Sequence, residues 1–120
     1  MGLDTTHNCW HGSCTAFGKW REEICRLSGH GEIYDHIGFG GTIPWPKGGD
    51  ALVELLDHSD CEGLIEARYC GAIALRLEVL LPRLKELVAS DDRRWMIEAT
   101  ERWIEGLRDA ADHQEDVFFQ

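Results

Sequence analysis

Apolar residues recur at helical spacing in three stretches of this chain and lose that rhythm between them. Phe17, Trp20, Ile24 and Leu27 fall on one face of a segment from Ser13 to Ser28, as a buried helical stripe requires. Ser13 can accept one of the free amides at the start, and Gly29 can end the segment, so a helix is predicted there. Cys70, Ile73, Ala74, Leu77, Leu80, Leu81, Leu84, Leu87 and Val88 make the longest stripe and predict a central core helix. Pro82 falls inside it; the missing amide donor and the crowded preceding turn predict a kink or two consecutive helices. Met96, Ala99, Trp103, Leu107 and Ala110 form a third face. Ser90 or Asp91 can cap that helix, and Asp91-Asp92 suits the positive end of its dipole.

Elsewhere the pattern is shorter. Leu3 to His7, with two β-branched threonines, reads as a short strand or extended arm, and Val117-Phe118-Phe119 as its partner from the other end of the chain. Gly29 to Gly49 carries many glycines and Pro44-Trp45-Pro46, so a long loop is expected, with a short strand at Glu32 to Ile37. Asp50 can cap a short helix through Leu56. The fold expected is mainly α with α+β character: a single domain over residues 1–120, a Gly/Pro-rich loop at 29–49, a C-terminal helical hairpin against the first helix, and a small sheet pairing the termini. At 120 residues and 43% hydrophobic composition, one core is affordable without staples.

Charge narrows the partners. The formal net charge is −10, and residues 51–120 hold 16 acidic against 8 basic residues. A chain this acidic is not expected to grip a nucleic-acid backbone, which requires clustered Lys and Arg, nor an anionic membrane. A solvated acidic helical surface accounts for the excess; an acidic interaction module or a nucleic-acid mimic is the sharper alternative. No apolar run approaches the roughly 20 residues needed to cross a bilayer, and no signal peptide is evident, so a cytoplasmic protein is expected. Five cysteines, an odd number, then read as reduced thiols.

Two polar clusters carry the candidate chemistry: Asp4-Thr5-Thr6-His7-Asn8-Cys9-Trp10-His11-Gly12 and Asp57-His58-Ser59-Asp60-Cys61-Glu62-Gly63. His7, Cys9, His11 and Cys14 are of the types that bind zinc, but their spacing is not that of two ligand pairs around a loop. The second cluster resembles a calcium-binding loop at Asp60, Glu62, Gly63 and Ile65, yet His58 and Tyr69 stand where the first acid and the bidentate acid belong, so tight calcium binding is not expected. The turn at Gly63 can persist without an ion. Cys61 could serve as a nucleophile with His58 or His7 as base, and His58 with Asp60 could form a base and its orienting acid; each has an equally simple reading as packing. The glycines at 38–41 and 48–49 fit neither a phosphate loop nor a dinucleotide fingerprint. Trp10 can wall a polar site, and Trp45 can close over a ligand or pack on the core.

The clusters resemble the two motifs of a small family found in phages, prophages and bacteria, of no assigned activity. One motif, Leu-Asp-Thr-Thr-His-x-x-Trp-x-Gly before a Phe-containing helix with an aromatic-Arg pair, matches Leu3-Asp4-Thr5-Thr6-His7, Trp10, Gly12, Phe17 and Trp20-Arg21. The other, Leu-Leu-x-His-Ser-Asp-Cys-Asp-Gly, matches Leu55 to Gly63 with Glu62 in place of the last Asp. The resemblance implies one site built from both motifs and leaves Cys9 and Cys14 outside it. The expected function is therefore binding of a compact polar ligand or a protein partner, through Asp4, Thr5, Thr6, His7, Trp10, His58, Ser59, Asp60 and Cys61. A metal- or thiol-dependent hydrolase using the same residues is the alternative. Cofactor, metal and oligomeric state are left open.

Overall fold

A computed structural model describes residues 2–46, 49–58, 62–89 and 91–120. Helix α1 runs Cys14–Leu27, with the Ser13 hydroxyl accepting from the Ala16 amide at 3.0 Å. Gly29, at φ 89°, lies just beyond it in the left-handed region that glycine tolerates. Asp50 accepts from the Leu52 amide at 3.0 Å ahead of the short α2, Val53–Leu56. Helix α3 spans Ala67–Val88, and Pro82 does not divide it into two. Pro82 faces solvent, so water can satisfy the Glu78 carbonyl that loses its usual donor. Asp91 caps a short 3-10 turn at Asp92–Arg94 that leads into α4, Trp95–His113. Ser90, the other cap considered, lies outside the described residues.

Helices α3 and α4 form the expected hairpin, and α1 packs against it. The core joining them is aromatic. Trp20 and Trp103 stack at 5.6 Å with planes 7° apart, and Phe17 lies against both. The Trp20 indole N–H donates to the Thr100 hydroxyl at 2.9 Å, and that hydroxyl donates to the Met96 carbonyl. Leu87, read as part of the buried stripe, is instead exposed.

The strands depart from expectation in their pairing. The N-terminal strand β1 is Gly2–Asp4 and pairs with β2, His11–Ser13; β3, Gly63–Ile65, pairs with β4, Val117–Phe119, both pairs antiparallel. The ends of the chain do meet: Asp4 and Gln120 exchange backbone hydrogen bonds, and Thr5 bridges Phe119. Thr6–Asn8, of which Thr6 and His7 are expected to be strand, is a 3-10 turn. Glu32 to Ile37 is not a strand either; it contains a 3-10 turn at Ile33–Asp35 and a single parallel bridge from His36 to Ile43. Glycines at positive φ, Gly31 and Gly38, flank this segment and interrupt any extended run. Trp45 folds inward, stacked on His36 at 3.9 Å, with its N–H donating to the Ile37 carbonyl.

Candidate functional site

The first motif closes on itself before it offers anything to a ligand. The Thr5 side chain is buried and accepts from the Trp10 amide at 2.9 Å. Trp10 is buried against Phe17, Trp20 and Trp95, and its remaining edge lines a small cleft of about 140 Å³ with His11, Glu98 and Arg102. Cys9 is buried beneath the same turn, and burial pushes its thiol up to about 12 despite a hydrogen bond from Thr5. Asp4 and His11 pair with each other on the exposed face of β1 and β2. His7, Cys9 and His11 thus point in three different directions. Among the described residues, no three His, Cys, Asp or Glu side chains are grouped to hold a metal ion.

His7 is the member of this motif set apart by its backbone. It and Asn8 both lie in the left-handed region, at φ 61° and 57°, a conformation that costs non-glycine residues energy and is retained only when the surroundings impose it. Helix α4 imposes it here. Arg102 donates to both the backbone carbonyl and the side-chain oxygen of Asn8, at 3.2 and 2.9 Å. A methyl on Gly106 would lie 2.7 Å from the His7 carbonyl and 2.4 Å from the Cys9 sulfur, so the turn can settle only over a glycine. The imidazole then joins a hydrogen-bonded chain. The Phe118 amide donates to the Thr6 hydroxyl at 2.9 Å, that hydroxyl lies 2.9 Å from His7 Nδ1, and His7 Nε2 faces the Glu115 carboxylate at 3.0 Å.

The second motif reaches the same strand from the other side. His58 Nε2 donates to the Leu64 carbonyl at 3.0 Å, and the ring stacks on Phe119 at 4.1 Å. Gly63 sits directly beneath that ring at φ 99°, where a methyl would lie 3.4 Å from the imidazole. Gly63 opens β3, which runs through Ile65 toward α3, while residues 59–61 of the expected turn lie outside the described residues. The Asp116 carboxylate, from just before β4, caps α3 by accepting from the Ala67 amide at 2.8 Å. Ser59, Asp60 and Cys61 lie outside the described residues.

Arg21, named in the first motif, was not among the expected site residues. Its side chain is only 2% exposed, and its guanidinium donates to the Leu56 and His58 carbonyls at 3.3 and 2.5 Å while lying 4.6 Å from the Phe17 ring centre. A buried arginine that ties two carbonyls of one segment fixes the entry to the second motif. The aromatic-Arg pair Trp20-Arg21 was the available signal. Thr5, Thr6 and His58 together hold β4 and the loops around it, and His7 borders an open groove.

That surface is a groove of about 730 Å³ between the His7-Asn8 turn, α4 and α3. Its charged rim is mostly acidic, with Glu101, Glu105, Asp109 and Asp112 on α4. The two arginines in it are engaged: Arg102 with Asn8, and Arg108 with Glu78. Compared with known protein families, curated proteins and solved structures, the chain matches none.

Proposed function

We propose that this protein binds a compact polar ligand carrying positive charge in the groove bordered by His7, and that its two motifs frame that groove. The observation that carries the reading is the imposed left-handed turn at His7 and Asn8, which presents an imidazole held between Thr6 and Glu115 at the groove's edge. Strain of this kind is retained where a side chain must be held in one orientation. The acidic rim favours a cation, and its two arginines are already occupied by Asn8 and Glu78. Thr5, Thr6 and His58 contribute as the frame, through their contacts with Trp10, Phe118 and Phe119.

Spermidine is a suitable probe, being compact, polar and cationic. Titration into isotopically labelled protein should shift the amide resonances of His7, Asn8, Glu105 and Asp109 together, and added salt should weaken the effect. The double variant E105Q/D109N should raise the dissociation constant roughly tenfold, through loss of two exposed charge contacts. Shifts scattered over the whole acidic surface, or equal affinity in the double variant, would remove the groove from consideration.

A further inference from the structure

Helix α3 is held along two flanks and bare between them. On one flank Arg76 reaches the Asp50 carboxylate and the Ser28 carbonyl, and Arg83 reaches the Leu27 carbonyl. On the other, Glu78 pairs with Arg108, and the position of a methyl on Gly71 would be 3.6 Å from Ala111. The outward strip consists of Arg68, Ala72, Leu75, Val79, Pro82 and Glu86, all exposed, with Leu75 and Val79 at 63% and 61%. Two large aliphatic side chains one turn apart in water are a cost that a folded partner surface would remove.

The spacing of the strip identifies the partner. Its members alternate four and three residues apart, the rhythm that keeps one seam of a helix facing another helix along its length. The strip is also palindromic in character. Leu75 and Val79 lie at its middle, Ala72 and Pro82 outside them, and a cation and an anion, Arg68 and Glu86, at the ends. We propose that α3 pairs with α3 of a second copy of this chain, antiparallel, about a twofold axis passing between Leu75 and Val79. A twofold contact matches residue i to j and j to i. Leu75 then meets Val79 of the second copy, the small Ala72 receives Pro82, and Arg68 meets Glu86 at both ends. A parallel arrangement would set Arg68 against Arg68 and Glu86 against Glu86. Arg68 at present pairs with Glu66 at 3.2 Å and lies 4.8 Å from the Tyr69 ring centre, and the exposed ion pair costs little to exchange.

Sedimentation equilibrium of the whole chain tests this. Wild type should reach a dimer within the micromolar range, and Leu75→Glu should be monomeric while its circular dichroism and melting curve stay those of wild type. Because Leu75 is already solvent-facing, refolding problems are not expected; the charge-swap series gives an independent check that leaves the apolar seam intact. Arg68→Glu and Glu86→Arg should each raise the dimer dissociation constant about tenfold, and the double swap should return it to within about threefold of wild type. A wild-type monomer at all concentrations overturns the proposal. So does a dimer indifferent to Leu75→Glu, or a double swap as weak as either single one.

Discussion

His58 lies nearly flat against Phe119, with ring centres 4.1 Å apart and planes 29° apart. Phe119 in turn touches Phe17 and Trp103 and is bridged by the backbone of Thr5. One C-terminal aromatic therefore carries both motifs. Phe119→Ala should destabilise the protein by about 3 kcal/mol or more, as for other buried aromatic deletions. In a double-mutant cycle, His58→Ala and Phe119→Leu should show a coupling of about 0.5–1.5 kcal/mol in urea unfolding. Strict additivity would mean that the ring contact contributes nothing.

Gly106 sits in the middle of α4, where helix propensity alone makes alanine better by about 1 kcal/mol. The structure reverses that expectation. The added methyl would meet the Cys9 sulfur at 2.4 Å and the His7 carbonyl at 2.7 Å, so Gly106→Ala should destabilise by about 1–3 kcal/mol. The imidazole resonances of His7 should also shift as its contact with Glu115 is displaced. Urea denaturation showing a gain in stability would contradict the close approach.

Asp50 gathers hydrogen bonds from Arg76, His30 and the Leu52 amide. Burial works to raise its pKa, but those bonds outweigh it and hold the carboxyl below its usual range. A carboxyl whose folded pKa is lowered contributes stability above its unfolded pKa, about 3.9, and loses it as pH falls through the folded value. Asp50→Asn should cost about 1–3 kcal/mol at neutral pH, through loss of charge-assisted hydrogen bonds. It should also make the acid limb of the stability curve shallower. Parallel pH curves for the two proteins would show that the network is not linked to titration.

Burial sets the thiols apart. It raises Cys9 to about 12 and Cys25 and Cys70 to about 11, so thiolate is scarce in all three at neutral pH. Brief iodoacetamide treatment of native protein, read by peptide mass spectrometry, should label Cys14 first among the described cysteines, since it is the one not fully buried. Prompt labelling of Cys9 would show that the N-terminal turn opens readily.

The helices were legible because their cores repeat. Phe17, Trp20 and Ile24 announce one buried face, and the same rhythm from Cys70 to Val88 announces the hairpin. Three-residue strands have no room for such a signal, so the partners of β1 and β4 were exchanged even though the meeting of the chain ends was anticipated. The site was legible as composition and not as geometry. Threonine and histidine advertise hydrogen bonds but not their direction, and here Thr5, Thr6 and His58 direct theirs inward. Arg21 stood in the first motif but was given no role in the site, because arginine ordinarily belongs to the surface. Gly106 escaped because its importance lies in what lands on it from a hundred residues earlier.

The backbone hydrogen bonds between Asp4 and Gln120 make this molecule almost a ring. A linker of a few residues would close it, and fresh ends could be opened at the exposed Gly40, away from both strand pairs. The same adjacency means that two domains fused one at each end would emerge side by side. Fraying of β4 would part them, turning the grip of the two motifs on that strand into a distance that resonance energy transfer can follow.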